Sequence, residues 1–267
     1  MLKQRIITAI VLVIIVLAAL FAEDDIYWRL MISAVVLVSF WEWLRFCEID
    51  NLASKIVSYI LFVWLLYPLH LGAYGVPVVV LAACVLWVAL FLFTLRDHFQ
   101  FFHEPLVKLV IGIVLLNVIG WLVVEYKSIE HGILWLLAFL LTSIAADVGA
   151  YFVGRKYGKT ALAPKVSPGK TVEGMLGGLA LVLVVFAPIY FFLFDTRSAL
   201  ALLLVAMITA VVSVGGDLFE SKMKRHVGLK DSSNILPGHG GILDRIDSML
   251  AAAPFFAAGL ILLGYWK

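Results

Sequence analysis

The chain has 267 residues, of which 64% are hydrophobic and only 14% charged, where a soluble domain carries about a quarter. So few charges cannot clothe a water-facing surface, which excludes an ordinary soluble enzyme and makes lipid the expected solvent for most of the chain. The net charge of +2 decides nothing, because in a membrane protein the placement of Lys and Arg matters more than their sum.

Stretches of about 20 apolar residues suit a helix crossing hydrocarbon, and about nine can be marked in chain order: 6–22, 26–46, 56–72, 75–95, 105–125, 131–154, 174–194, 198–220 and 247–266. The first is longer than a signal-peptide core and lacks a good small-residue cleavage site, so it is expected to remain as a membrane helix. The third and fourth meet at "HLGAYGVP" (70–77), where a re-entrant pair would serve as well as two spans. The apolar runs are continuous rather than alternating, which argues against membrane strands. The expected fold class is all-α: a polytopic integral membrane protein with no separate soluble domain. Residues 1–130 supply about five helices, and 131–267 form a catalytic region with two long polar loops, 155–172 and 221–246. Cys47 and Cys84 fall within or at the ends of apolar segments and are given no role.

Sidedness follows from the basic residues. An inside N-terminus places Lys3, Arg5, Arg45, Lys55, Arg96, Lys108 and both long loops in the cytoplasm, leaving Arg29, Lys127, Arg197 and Lys267 outside. The two loops then share one face of the membrane.

Acidic residues stand in or beside several of these spans. Asp147 lies in "SIAADVGAYFVG", Asp217 in "SVGGDLFES", and Asp244 and Asp247 open the last span in "LDRIDSML". A carboxylate at the bilayer centre costs about 2.5–3.5 kcal/mol on insertion scales, and less toward the interface, so such residues are rarely incidental. All four are expected at the cytoplasmic boundary. Asp217, Ser221 and Lys224 would share one side if the eighth helix continues, as would Asp244 and Asp247. Grouped carboxylates suit Mg²⁺, and Lys224, Arg225, Lys230 and Arg245 suit phosphate oxygens.

Plainer readings compete. Asp247 alone would serve as a helix N-cap. Arg155, Lys156 and Lys159 read as topology determinants, and the glycines of "GMLGG" (174–178) as helix-packing contacts. His239 alone would be a surface loop residue. The balance tips on co-occurrence of acids, cations and a Gly-rich turn within about 30 residues. "VSPGKTVEG" (166–174) offers Gly169-Lys170-Thr171 of a nucleotide P-loop. Pro164, however, stands where the first Gly is needed, and no preceding strand is expected. Amides near Ser167, Gly169 and Lys170 would still suit a phosphate if Thr171 opens a helix.

The segment "SKMKRHVGLKDSSNILPGHGGILDRID" (221–247) resembles the signature of the phosphatidate cytidylyltransferases, with Ser221, Lys224, Arg225, Lys230, Asp231, His239, Gly240, Gly241, Asp244, Arg245 and Asp247 in register. "ADVGAYFVG" (146–154) and "LAPKVSPGKTVEG" (162–174) resemble family segments in the same order, whereas the first half matches only in hydropathy and in "WEW" (41–43), a motif that also suits an interfacial aromatic belt. The resemblance implies the reaction CTP + phosphatidate → CDP-diacylglycerol + pyrophosphate in phospholipid synthesis. Positioning and charge neutralisation dominate such chemistry. On this reading Asp217 and Asp244 hold Mg²⁺, with Asp247 and Asp231 as further ligands or orienters and Asp147 completing the site or holding a second cation. Lys224, Arg225, Lys230 and Arg245 neutralise phosphates, and His239 donates to pyrophosphate. Ser221 belongs to the substrate-binding set, and Lys165, Ser167, Lys170 and Thr171 close over the nucleotide. The expected setting is a bacterial inner membrane with the site on its cytoplasmic face. The partners are CTP, phosphatidate and lipid without nucleic acid; a homodimer is one assembly open to it, and the sequence does not fix the oligomeric state.

Three other functions are weighed. A CTP-dependent kinase of a polyprenol-type lipid would leave no cytidine on its product. A CDP-alcohol phosphotransferase needs an Asp-Gly-x-x-Ala-Arg run that this sequence lacks. An ion-coupled transporter would place its acids near midplane beside broken helices.

Overall fold

The computed structural model describes residues 2–70, 75–95 and 104–266. The described residues form nine α-helices: α1 (Leu2–Leu20), α2 (Asp25–Phe46), α3 (Leu52–His70), α4 (Val76–Leu95), α5 (Pro105–Ser128), α6 (Gly132–Tyr157), α7 (Val172–Leu193), α8 (Thr196–His226) and α9 (Leu243–Leu262). Two short strands, β1 (Ala161–Ala163) and β2 (Ser167–Thr171), are the remaining elements. The fold is thus the expected all-α membrane architecture. Seven helices, α2 and α4 to α9, are long and apolar enough to span a bilayer, while α1 and α3 contribute shorter apolar stretches, Ile6–Leu20 and Leu52–Leu65. The junction for which a re-entrant pair was the alternative to two spans falls largely on residues 71–74, outside the described residues.

Side chains such as Phe192 (88% exposed) and Val184 (69%) point away from protein, an arrangement that only hydrocarbon solvates well. Helix boundaries follow local chemistry. The Asp24 carboxylate accepts from the Ile26 amide at 2.8 Å and starts α2. Asp195 accepts from the Arg197 and Ser198 amides at 3.0 and 3.2 Å and opens α8 in the same way. The Ser198 hydroxyl, followed by the Ser198 and Arg197 amides, holds the Asp195 carboxyl below the ordinary aspartate range.

Two compact units, each discontinuous in sequence, make up the chain. The first comprises residues 1–75, 96–125 and 223–246. Its hub is α2. Phe40 stacks on Phe62 with centroids 4.2 Å apart and meets Tyr59 edge-on. Trp43 is fully buried and donates to the Lys108 carbonyl at 2.8 Å, with Gly112 giving its indole room. Lys108 is also fully buried, its ammonium 3.2 Å from Glu48. "WEW" is therefore no exposed aromatic belt: Glu42 and Trp43 lie inside the unit, and only Trp41 remains outward-facing. Cys47, just past α2, is buried, and desolvation pushes its thiol up to about 12, leaving a neutral, unreactive packing group.

The second unit comprises residues 76–95, 126–222 and 247–267. Here α6 and α7 pack backbone to backbone. A Cβ on Gly178 would lie 2.5 Å from the Ala146 carbonyl, one on Gly149 2.5 Å from the Gly177 carbonyl, and one on Gly177 2.3 Å from Val153. The glycines of "GMLGG" are thus packing contacts, in keeping with the plainer reading of the sequence. Such close approach replaces the hydrophobic drive that helices lack in lipid. Gly178→Val is therefore expected to destabilise the protein by about 1–3 kcal/mol through overpacking, visible as a lower melting temperature in detergent. A melting temperature equal to that of the parent would show that the two helices can separate freely.

Candidate active site

In the second unit the loop between α6 and α7 is a β-hairpin. The sequence reading expected no strand there; instead β1 and β2 pair antiparallel, Ala161 with Thr171 and Ala163 with Ser167. A P-loop remains excluded, because Gly169-Lys170-Thr171 lies within β2 itself. The hairpin is fastened at its base. Val172 N donates to the Thr160 carbonyl at 2.9 Å. Glu173 accepts from the amides of Lys159 and Thr160 at 3.0 and 3.1 Å and from the Thr160 hydroxyl at 2.8 Å. Thr171 does open a helix: its hydroxyl accepts from the Gly174 amide at 3.1 Å and caps α7.

From β2 the Lys170 ammonium pairs with the Asp217 carboxylate of α8. The Ser221 hydroxyl, one turn further along α8, donates to the other Asp217 oxygen at 3.1 Å. Asp147, Tyr151, Lys170, Thr171 and Asp217 all line one cavity of about 320 Å³. Two carboxylates, a lysine and a capped helix start thus face one recess that is otherwise lined by apolar side chains such as Leu162, Met175 and Val214. Its donor set suits Mg²⁺, which typically takes one or two carboxylates and completes its octahedron with water and phosphate oxygens. Among the described residues no group of three or more His, Cys, Asp or Glu side chains stands close enough to hold an ion by itself.

In the first unit the polar segment after α8 winds into a knot around Asp244. One carboxylate oxygen accepts from Lys224 Nζ at 2.6 Å. The other accepts from Ser232 N at 2.9 Å, Ser232 Oγ at 3.0 Å and Gly241 N at 2.8 Å. The Lys224 and Asp244 side chains are only 8% and 6% exposed, so this pair is sealed from solvent. Gly240 lies at φ +84, and a Cβ there would sit 2.6 Å from Asp244 Oδ2, so only glycine fits. Glu42 of α2 accepts from the Ser233 hydroxyl and from the amides of Ile242 and Leu243 at 3.0 and 2.6 Å. Arg45 of α2 donates to the Ser232 carbonyl.

A scan against family models matches residues 3–263 to one described as the cytidylyltransferase family. The chain belongs to the cytidylyltransferase family. It is accordingly an enzyme of the nucleotidyltransferase class. Proteins named phosphatidate cytidylyltransferase are among its relatives. One from Pseudomonas aeruginosa is 38% identical, covering 99% of this chain and 99% of its own. One from Haemophilus influenzae is 36% identical, covering 96% and 98%. One from Bacillus subtilis is 32% identical, covering 95% of each chain.

In this cytidylyltransferase the expected site residues divide between the two units. Asp147, Lys170, Thr171, Asp217 and Ser221 meet within the second, and Lys224 and Asp244 within the first. Asp247 belongs to the second unit, where its carboxylate accepts from the Ser248 amide at 2.7 Å. It is not the N-cap, because α9 begins at Leu243, a turn before the expected span. α8 likewise runs on to His226, so the first six residues of the expected loop 221–246 are helical. Asp231, Arg225, Lys230 and Arg245 are exposed; Arg225 donates to the Leu229 carbonyl at 2.8 Å and Arg245 to the His239 carbonyl at 2.9 Å. His239 is half-buried, and its Nδ1 makes no hydrogen bond among the described residues. Lys165 is exposed at the hairpin turn, and Ser167 starts β2.

Sequence reasoning marks neither Glu42 nor Glu173, and marks Arg45 only as a topology determinant. For Glu42 the signal was present: a carboxylate in a long apolar run invites the same cost argument that singled out Asp147 and Asp217. Glu173 needed the hairpin, which period-based reading does not foresee.

Proposed function

We propose that this cytidylyltransferase joins CTP to phosphatidate, giving CDP-diacylglycerol and pyrophosphate, with Mg²⁺ as its cofactor, at the cytoplasmic boundary of the membrane. The observation that carries the reading is the recess in which Asp147, Asp217 and Lys170 meet below a fastened hairpin. The names of the relatives supply the lipid substrate, and the clustering of basic residues in the loops supplies the side.

The reaction displaces pyrophosphate from the α-phosphorus of CTP. A phosphate oxygen of phosphatidate forms the new P–O bond as the bond to the bridging oxygen breaks. Both reactants are anions, so the protein's task is to hold them in line and offset their charge; no side-chain nucleophile is required. Lys170 is placed to exchange its carboxylate partner for a triphosphate oxygen. Asp147 and Asp217 would hold Mg²⁺, which when bound offsets charge on the triphosphate and the departing pyrophosphate. Asp244 fixes the signature loop through Lys224, Ser232 and Gly241, and the exposed Arg225, Lys230 and Arg245 are the cations available to an anionic headgroup. His239 is assigned to the pyrophosphate.

Purified protein in detergent, given phosphatidate and CTP labelled in the base, tests this directly. Cytidine label should move into lipid in the presence of Mg²⁺ and stop when the ion is chelated. Label confined to the lipid only when the γ-phosphate carries it would mean a kinase, and no lipid label at all would overturn the reading.

A further inference from the structure

Asp244 and Glu42 grip the same two strips of chain. Ser232 donates twice to Asp244, and the next residue, Ser233, donates to Glu42. Gly241 donates to Asp244, and the next residues, Ile242 and Leu243, donate to Glu42. Each strip is thus pinned between two carboxylates, one on α9 and one brought from α2. Glu42 is fully buried, and its carboxylate oxygens accept from donors of this one segment. Two of these donors are amides at the start of α9, where a helix has no internal acceptors and its dipole favours an anion. Gly241 closes the arrangement: a Cβ there would fall 2.0 Å from Ser232 Oγ and 2.3 Å from Glu42 Oε1, so any larger residue would displace both anchors.

We propose that Glu42 is the positioning residue that sets the orientation of Asp244 for cytidylyl transfer, by acting as an N-terminal cap of α9 supplied from α2. It touches neither reactant and acts through Ser232 and Gly241. The proposal rests on the function given above. A buried carboxylate held for packing alone would be replaceable by an uncharged isostere, whereas this role requires an acceptor at both oxygens. In Glu42→Gln one of those oxygens becomes an NH₂ group facing the N–H of Leu243 or Ile242, so donor meets donor and the strip must shift.

The test combines kinetics with hydrogen–deuterium exchange of the segment 230–246 in detergent. Glu42→Gln should lower kcat by about 10–100-fold, the range for residues that orient a functional group indirectly, with KM for CTP changed by less than about threefold. Amides of the 230–246 segment should exchange faster while those of α6 and α7 stay as in the parent. A variant with less folded protein but an unchanged kcat per folded molecule would overturn the proposal and leave Glu42 a packing group. Unchanged exchange across 230–246 would overturn it as well. If Glu42→Gln does not fold, Ser233→Ala removes only one of the three donors, and the same two readings decide. Should the parent protein itself transfer no cytidylyl group, the proposed function fails, and the exchange measurement still judges the anchoring by Glu42 separately.

Discussion

Replacing Asp244 by Asn abolishes cytidylyl transfer and also weakens the fold, by about 3–5 kcal/mol, the usual cost of removing one partner from a buried ion pair. Lys224, 8% exposed, would lose the carboxylate that its ammonium meets at 2.6 Å. The Asn amide would also turn its NH₂ toward donors on one side or the other, because Lys224, Ser232 and Gly241 all donate to this carboxylate. Thermal unfolding in detergent, read with turnover at a temperature where the variant stays folded, checks both halves. Lys224→Met in the same chain removes the buried ammonium that faced Asp244 and should restore part of the stability without restoring activity. A variant as stable as the parent would show that the pair is solvated in the native protein.

Asp217→Asn produces the contrasting result. The Lys170–Asp217 pair is about a quarter exposed, 26% and 27%, so its loss costs less than about 1 kcal/mol. Turnover should nonetheless fall by about 10²–10³-fold, as when a preorganised electrostatic contact to the reacting group is removed. Lys170→Ala should fall by a similar factor, with a raised KM for CTP if its ammonium meets the triphosphate in the ground state. Normal kinetics in Asp217→Asn would remove this recess from the mechanism. The two aspartates are therefore distinguishable: one variant loses activity with its fold nearly intact, the other loses both.

Much of this was legible beforehand because lipid imposes simple rules. Continuous apolar runs mark helices, and charges within them stand out by their cost. The helices therefore fell near their expected places, and Asp147, Asp217 and Asp244 were each marked. Three features were hidden for physical reasons. The β-hairpin is too short for a two-residue period, and its "APKVSPGK" reads as a loop. The extensions of α8 to His226 and of α9 back to Leu243 carry polar residues that no hydropathy window includes. Glu42 lay in the half of the chain with the fewest motif matches, where an aromatic pair drew attention to interface anchoring. Its partners lie about 190–200 residues away, a pairing that local pattern cannot reveal.

The tie between Thr160, Val172 and Glu173 bears on the thermodynamics of ligand capture. A lysine on a slack loop would have to freeze roughly ten backbone residues as it closed on an anion, each at about 1–2 kcal/mol of lost freedom. Because the arm bearing Lys170 is laced shut before any ligand arrives, that loss has already been met during folding. Association at this arm should therefore resemble a lock receiving its key, with a small heat-capacity change and little dependence of affinity on loop length.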